Sequence, residues 1–188
     1  MTEAQSPTVP RRRWLVGTVA AAAALAGAGL AWRMQAGRTG PAPVAVPPLP
    51  AGLDLWQLNF TSPEGASVKM ATFRGHPLLL NFWATWCPPC VEELPLINRF
   101  YTENAAKGWQ VLALAVDQAD PVKRFLDKMP LKFSVALAGM PGIELSKSLG
   151  NLTGGLPFTV VIGADGQIAQ RKMGKILPQD LQAWAALT

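Results

Sequence analysis

Cysteine and histidine are scarce in this sequence. Its 188 residues include two cysteines, Cys87 and Cys90, and one histidine, His76. Two cysteines are too few for a fold held together by disulfide bonds, and a chain of this length does not need them. A tetrahedral zinc site takes four ligands, so these three residues would need carboxylates or a second chain. The sequence therefore predicts neither a disulfide framework nor a metal site.

A strongly basic body is also absent. The net charge is +5, but residues 1–50 hold five arginines against one acid, whereas residues 51–188 hold 12 basic and 11 acidic residues. The positive charge belongs mainly to the N-terminal arm. The rest of the chain lacks the blocks of Lys and Arg that nucleic-acid binders use, so no nucleic-acid partner is expected.

The N-terminal arm has the pattern of a membrane anchor. Arg11 to Arg13 precede 19 uncharged residues, from Trp14 to Trp32. A helix of that length spans about 28 Å, close to the thickness of a bilayer's hydrocarbon core, and the arginines favour a cytoplasmic N-terminus. We expect residues 1–36 to form a cytoplasmic tip and an uncleaved signal-anchor, apolar over 14–32. A cleaved signal peptide is the alternative, and both interpretations place the body outside the cytoplasm.

The body follows a proline-rich linker over residues 37–52, where extended polyproline II is favoured. Residues 53–188 alternate short apolar runs with helical patterns, which predicts an α/β fold with a mixed sheet covered on both faces. The expected strands cover 55–60, 67–72, 78–83, 110–116, 133–137, 158–162 and 167–173. The expected helices cover 88–107, 121–129, 143–149 and 178–187.

Both cysteines lie in the segment WATWCPPCVEELP, after a buried strand and at the start of a helix. Free N–H groups and the helix dipole stabilise a thiolate at Cys87, and the thiolate is the form that attacks disulfides. Cys90, one turn further, is placed to attack the resulting mixed disulfide, so the exchange needs no cofactor. A structural disulfide across two residues would add little stability. A copper-binding assembly factor that also uses His76 is the alternative from a different class.

The segment LLLNFWATWCPPCVEELP, the later GLPFT and the closing hairpin and helix resemble the TlpA/ResA-like family of thiol–disulfide oxidoreductases. The resemblance implies a thioredoxin fold over residues 53–188, with an N-terminal β extension and a central insertion. It implies a reductase of protein disulfides on the periplasmic side of the bacterial inner membrane, of the kind that serves cytochrome c maturation. A membrane electron donor of the DsbD/CcdA type would re-reduce it. A DsbA-like oxidase is the alternative, but its large helical insertion is missing.

The resemblance also implies roles for single residues. Cys87 matches the nucleophile and Cys90 the resolving thiol, the two forming the redox disulfide. Pro157 in GLPFT matches a cis-proline that faces the cysteines and turns the backbone of Leu156 toward an extended substrate segment. Trp86 is expected mainly to pack, like Trp83, while contributing to the substrate-facing surface.

Two further residues concern proton transfer. Glu93, three residues after Cys90, matches a semi-buried glutamate that assists proton movement, and burial would raise its pKa for that task. Its neighbour Glu92 is the expected control. Asn81 stands where cytosolic thioredoxins carry a buried aspartate. An amide does not titrate, so we expect Asn81 to be a hydrogen-bonded core residue.

Overall fold

The computed structural model describes residues 52–187. The predicted anchor over 14–32 and all but the last residue of the predicted linker lie outside the described residues. Within residues 52–187 no helix is long and apolar enough to cross a membrane.

Seven strands form one mixed sheet in the described part of the chain. They are β1 Asn59–Thr61, β2 Ser67–Lys69, β3 Leu78–Trp83, β4 Gln110–Ala115, β5 Ser134–Leu137, β6 Phe158–Ile162 and β7 Ile168–Met173. Their spatial order is β2-β1-β5-β4-β3-β6-β7. The central strands β3, β4 and β5 are parallel, whereas the strands at both edges pair antiparallel. This arrangement confirms the predicted mixed sheet.

The two predicted N-terminal strands are shorter than the sequence suggested. Residues Leu55–Gln57 form a 3₁₀ helix, because the Asp54 side chain accepts a hydrogen bond from the Trp56 N–H at 3.1 Å and caps it. Residues Met70–Phe73 form a second 3₁₀ helix that buries both of its end residues. The predictions of strand over residues 55–57 and 70–72 are therefore wrong, and β1 and β2 form only a short hairpin at the sheet edge.

Four α-helices cover the faces of the sheet in the described part of the chain. They are α1 Pro88–Asn104, α2 Ala119–Lys128, α3 Pro141–Ser148 and α4 Pro178–Ala185. Helix α1 continues through Pro95 and is followed by a 3₁₀ turn, which ends at Gly108 in a left-handed conformation with φ 93°. The segment between β4 and Pro157, predicted as an insertion, contains α2, β5 and α3.

Strand β3 separates two apolar cores. All six of its side chains are buried. Leu79 and Trp83 belong to the core that includes residues of α1, α2 and α4, while alternate residues such as Leu80 belong to the core on the opposite face. Because side chains alternate along a strand, Asn81 points with Leu79 and Trp83 toward α1. This register places an amide beside the helix that carries both cysteines.

Candidate active site

Cys87 and Cys90 form a disulfide bond at the start of α1, with their Cα atoms 5.3 Å apart. Cys87 is the N-cap residue and accepts the first helical hydrogen bond, from the Val91 N–H, at its backbone oxygen. The Cys87 residue is 5% exposed, and Cys90 is 0% exposed. Of the two cysteines, Cys87 is therefore the one with some exposure to solvent, and Cys90 is fully enclosed.

The prolines between the cysteines reduce the number of hydrogen-bond donors near Cys87. Pro88 and Pro89 occupy the first two helical positions, and proline has no backbone N–H. An N-cap side chain accepts from the second or third helical position, so only the N–H of Cys90 remains available to the Cys87 sulfur. The free N–H groups expected beside this thiol are thus reduced to one that its sulfur can use.

Glu93 lies one helical turn after Cys90 and is fully buried. Its Oε1 accepts a hydrogen bond from Nδ2 of Asn81 at 2.7 Å. Its Oε2 accepts from the backbone N–H of Ile176 at 2.6 Å. Strand β3 and the segment before α4 thus each supply one donor to the carboxylate.

Burial raises the pKa of Glu93 from 4.5 to about 7, because the charged form loses hydration in the core. The hydrogen bonds from Ile176 and Asn81 favour the charged form and lower the pKa, as do the charges of Lys175 and Lys172, but burial outweighs them. A carboxyl group with this pKa exists in both protonation states near neutral pH. It is suited to receive and release protons beside the cysteine pair.

Pro157 lies at the same end of the sheet as the cysteines. Phe158, which follows it, pairs with Phe82, and Trp83 leads into the cysteine segment. The Leu156–Pro157 peptide bond is cis, as the resemblance implied. The Pro157 carbonyl accepts a hydrogen bond from the Gly174 N–H at 2.9 Å, which ties this turn to the end of β7.

The comparisons with known proteins agree with this geometry. A match to the Redoxin family covers residues 41–183. Thiol-disulfide oxidoreductase ResA of Bacillus thuringiensis subsp. konkukian (strain 97-27) is 35% identical over 125 residues, which are 66% of this chain and 70% of that protein. The chain belongs to the redoxin family. This redoxin is a thiol–disulfide oxidoreductase of the TlpA/ResA-like type, and disulfide-containing proteins are its substrates.

Solved structures share the redoxin's fold. The thioredoxin-related protein from Neisseria meningitidis serogroup B superimposes with a TM-score of 0.61 at 25% identity, over 68% of this chain and 96% of that chain. A secreted Mycobacterium tuberculosis disulfide oxidoreductase homologous to E. coli DsbE gives a TM-score of 0.60 at 22% identity, over 72% of this chain and all of that one. The second likeness concerns the fold alone. Both confirm the thioredoxin fold.

Trp86 differs from its expected packing role in this redoxin. Trp83 is fully buried in the core, but Trp86 is 64% exposed. Trp86 directly precedes Cys87 in a segment that has left the sheet, so its ring has no core to enter. It is available on the surface beside Cys87.

Asp117, which the sequence analysis missed, holds the cysteine segment of the redoxin. Its Oδ2 accepts hydrogen bonds from both the N–H of Thr85 at 2.9 Å and the hydroxyl of Thr85 at 2.6 Å. Its Oδ1 accepts from the N–H of Gln118 at 2.8 Å. Asp117 comes two residues after β4, at the edge where β3 also ends, so its place after a buried parallel strand was the available signal.

His76 lies away from the cysteines. It precedes β3, whereas Cys87 follows the other end of that strand. A six-residue strand is about 20 Å long, so His76 and the cysteines do not share one metal ion. Among residues 52–187 no group of three or more His, Cys, Asp or Glu side chains is arranged to hold a metal ion. The copper alternative with His76 as a ligand is thus contradicted.

Proposed function

We propose that this redoxin reduces protein disulfides outside the cytoplasm, using Cys87 as the nucleophile, Cys90 as the resolving thiol and Glu93 as the proton acceptor. One observation carries the proposal. The two cysteines lie at the N-terminus of α1, and one turn further the same helix holds the buried carboxyl group of Glu93, whose pKa is about 7. The disulfide supplies the redox chemistry, and the carboxylate supplies a proton acceptor inside the core.

The first step is the attack of the Cys87 thiolate on one sulfur of a target disulfide. A bond forms between Cys87 and that sulfur, the target S–S bond breaks, and the second target sulfur leaves as a thiolate that takes a proton. The position of Cys87 supports this role, because it caps the helix and lies nearer to solvent than Cys90.

The second step releases the target. The Cys90 thiol gives its proton to the Glu93 carboxylate, and the resulting thiolate attacks the Cys87 sulfur of the mixed disulfide. The mixed disulfide breaks, the Cys87–Cys90 disulfide forms, and the target leaves with two more electrons than it brought. Because Cys90 is fully buried, bulk water is a poor acceptor for its proton, and Glu93 provides one within the same core.

Three residues would hold the target beside Cys87. Leu156 and Pro157 directly precede β6 at the cysteine end of the sheet, where an extended substrate segment would pair with the backbone of Leu156. The exposed ring of Trp86, next to Cys87 in the chain, offers an apolar contact. An unfolded or extended segment around the target disulfide fits this surface.

The two prolines between the cysteines favour the reducing direction. A strong oxidant such as DsbA has a stabilised reduced form. Here Pro89 withholds one of the two backbone donors that an N-cap sulfur can use, so the reduced form gains less stabilisation. In addition, the segment between β4 and Pro157 holds only two short helices and one strand, not a helical domain.

The spent disulfide must be reduced again to complete a cycle. Outside the cytoplasm no thiol pool does this, so we infer a membrane electron donor of the DsbD/CcdA type. An anchor over residues 14–32 would keep the domain of residues 53–188 beside that donor, on the periplasmic side of the inner membrane. The likeness to ResA supports apocytochrome c as a candidate target.

The equilibrium potential against glutathione tests the direction. We expect a midpoint more negative than about −200 mV, in the range of thioredoxin and glutaredoxins. A midpoint near −120 mV, the value of DsbA, would make the protein an oxidase of thiols and would contradict the reductase proposal.

A further inference from the structure

The Asn81 side chain has one polar atom without a partner in the described part of the chain. Its Nδ2 donates to Glu93 Oε1 at 2.7 Å and to Thr159 Oγ1 at 2.9 Å, which uses both of its hydrogens. Its Oδ1 is buried and accepts no hydrogen bond. All three residues are fully buried. An unmade hydrogen bond in a core is costly, so this arrangement needs a physical reason.

The arrangement suits only the charged form of Glu93. A carboxylate accepts hydrogen bonds on both oxygens, as the donors from Asn81 and Ile176 require. On protonation one oxygen becomes a donor. Oε2 faces a backbone N–H that has no freedom to turn, so the proton belongs on Oε1 and points at Asn81. There it would meet another donor, the Asn81 amide hydrogen.

A rotation of the Asn81 amide by half a turn removes this conflict at Oε1 and turns the two Nδ2 hydrogens to the side where Oδ1 had no partner. Oδ1 then faces Glu93 Oε1 and Thr159 Oγ1, and it accepts from the protonated carboxyl group. The Thr159 hydroxyl accepts from Nδ2 before the rotation, and after it the hydroxyl turns to donate to Oδ1. We propose that Asn81 is a positioning residue whose amide turns over when Glu93 gains or loses its proton, so that the buried site holds both forms.

Other charged groups near Glu93 do not replace this partner. Lys172 on β7 pairs with Asp180 on α4 at 3.0 Å, and Lys175 pairs with Glu92 on the exposed side of α1. Both lysines act on Glu93 through their charge, without a hydrogen bond to it among the described contacts. The donors to the carboxylate in this part of the chain are therefore Asn81, which has rotational freedom, and the Ile176 backbone, which has none.

The inference deepens the proposed function, and its catalytic meaning depends on Glu93 as proton acceptor. In each catalytic cycle Glu93 would gain and lose a proton, and a fixed hydrogen-bond donor at Oε1 would disfavour the protonated form. An amide that can turn over disfavours this form less and still holds Oε1 in place. The amide movement itself requires only the contacts of Asn81, Glu93 and Thr159, so it is testable even if Glu93 takes no part in exchange.

The test is NMR on the full-length oxidised protein between pH 5 and 9. We expect the nuclear Overhauser effect between the Asn81 side-chain NH₂ and the Thr159 methyl group to be present at high pH. It should weaken several-fold as pH falls through the midpoint of the Glu93 carboxyl ¹³C signal. The NH₂ of Asn104, a buried amide that donates to the Phe100 carbonyl at 2.9 Å, is the internal control and should not change. An unchanged effect at Asn81 while Glu93 titrates would overturn the proposal.

Two variants sharpen the result. In Glu93→Gln the Asn81 signals should be independent of pH, and a persistent midpoint near neutrality would contradict the coupling. If Asn81 were a fixed donor, Asn81→Leu would raise the Glu93 midpoint by about one pH unit or more. Because a turning amide serves both forms, we expect a shift below about half a unit. If exchange assays show no role for Glu93 but the amide still turns, only the proposed proton acceptor fails.

Discussion

The backbone N–H of Ile176 lies 2.6 Å from Oε2 of Glu93 and joins residues 83 positions apart in the chain. It links α1, which carries the dithiol, to the segment between β7 and α4. Next to it on the protein surface, Lys175 pairs with Glu92. The segment before α4 is thus held to α1 by two contacts, one to Glu93 in the core and one to Glu92 on the surface.

The order of the cysteines predicts which variant traps a target. In Cys90→Ser the Cys87 thiolate still attacks, but no thiol resolves the mixed disulfide, so covalent adducts with target proteins should accumulate. Cys87→Ser lacks the outer thiol and should trap far less. The measurement is non-reducing electrophoresis of extracts followed by identification of the captured proteins. Equal trapping by both variants would contradict the assigned roles.

Glu93→Gln should change the pH dependence of disulfide exchange. If the carboxylate accepts the Cys90 proton, the rate of target release rises with pH through about 7, the pKa of Glu93. An amide accepts no proton, so the variant should lose this inflection and depend on the thiol alone, near pH 8–9. Single-turnover rates between pH 5 and 10 check this.

The control for that experiment needs care. Glu92, the neighbour expected to serve as the control, pairs with Lys175, and Lys175 lowers the pKa of Glu93. Glu92→Gln would therefore disturb the group under study. Glu103→Gln, an exposed position on the same helix, is the better control and should keep the profile of the original protein. Matching profiles for Glu93→Gln and Glu103→Gln would remove Glu93 from the mechanism.

Glu93 should also make stability depend on pH. Its pKa is raised from 4.5 to about 7 in the folded oxidised protein, so the folded state holds the proton more tightly than the unfolded state. Its contribution is full below about pH 4.5, declines as pH rises through 7, and is constant above. The decline amounts to about 2–4 kcal/mol. Urea unfolding at several pH values should show this loss in the original protein and not in Glu93→Gln; the same slope in both would contradict it.

The sequence predicted the parts of the fold that depend on local patterns. LLLNFW predicted β3 at its observed bounds, and the apolar run after Gly108 predicted β4 to within one residue. The alternation of apolar and polar residues predicted a strand from residue 55, but the Asp54 side chain caps a 3₁₀ helix there. Contacts between distant residues were also missed. Asn81 was correctly expected to be a hydrogen-bonded core amide, but nothing in its neighbourhood indicated Glu93 as its partner.

Release of the Asp117 contact should weaken the cysteine segment. Asp117→Ala leaves the N–H and hydroxyl of the half-buried Thr85 without their acceptor, which should cost about 1–3 kcal/mol in the free energy of unfolding. Thr85→Val removes only the hydroxyl and should cost less. When this segment is held less firmly, the Cys87–Cys90 disulfide forms less readily. Its reduction potential should therefore become less negative by on the order of 10–30 mV. Asp127→Ala, at an exposed position of α2, is the control. An unchanged potential would limit Asp117 to a purely structural role.

Restoring one backbone donor beside Cys87 should make the protein a weaker reductant. Pro89→Ala supplies an N–H at the second helical position, where it can donate to the N-cap sulfur. A hydrogen bond to the thiolate lowers the pKa of Cys87 and stabilises the reduced form. The expected change in potential is about 20–60 mV toward less negative values. The Cys87 pKa, followed by thiolate absorbance or by alkylation rate, should fall in parallel.

A matched variant separates this effect from the general loss of a proline. Pro141 begins α3 in the same way that Pro88 begins α1, but it adjoins no cysteine. Pro141→Ala should therefore leave the potential and the Cys87 pKa unchanged, whatever it does to stability. If Pro89→Ala also left both unchanged, the missing donors would not set the redox direction. The argument for a reductase would then rest on the short segment between β4 and Pro157 and on the likeness to ResA.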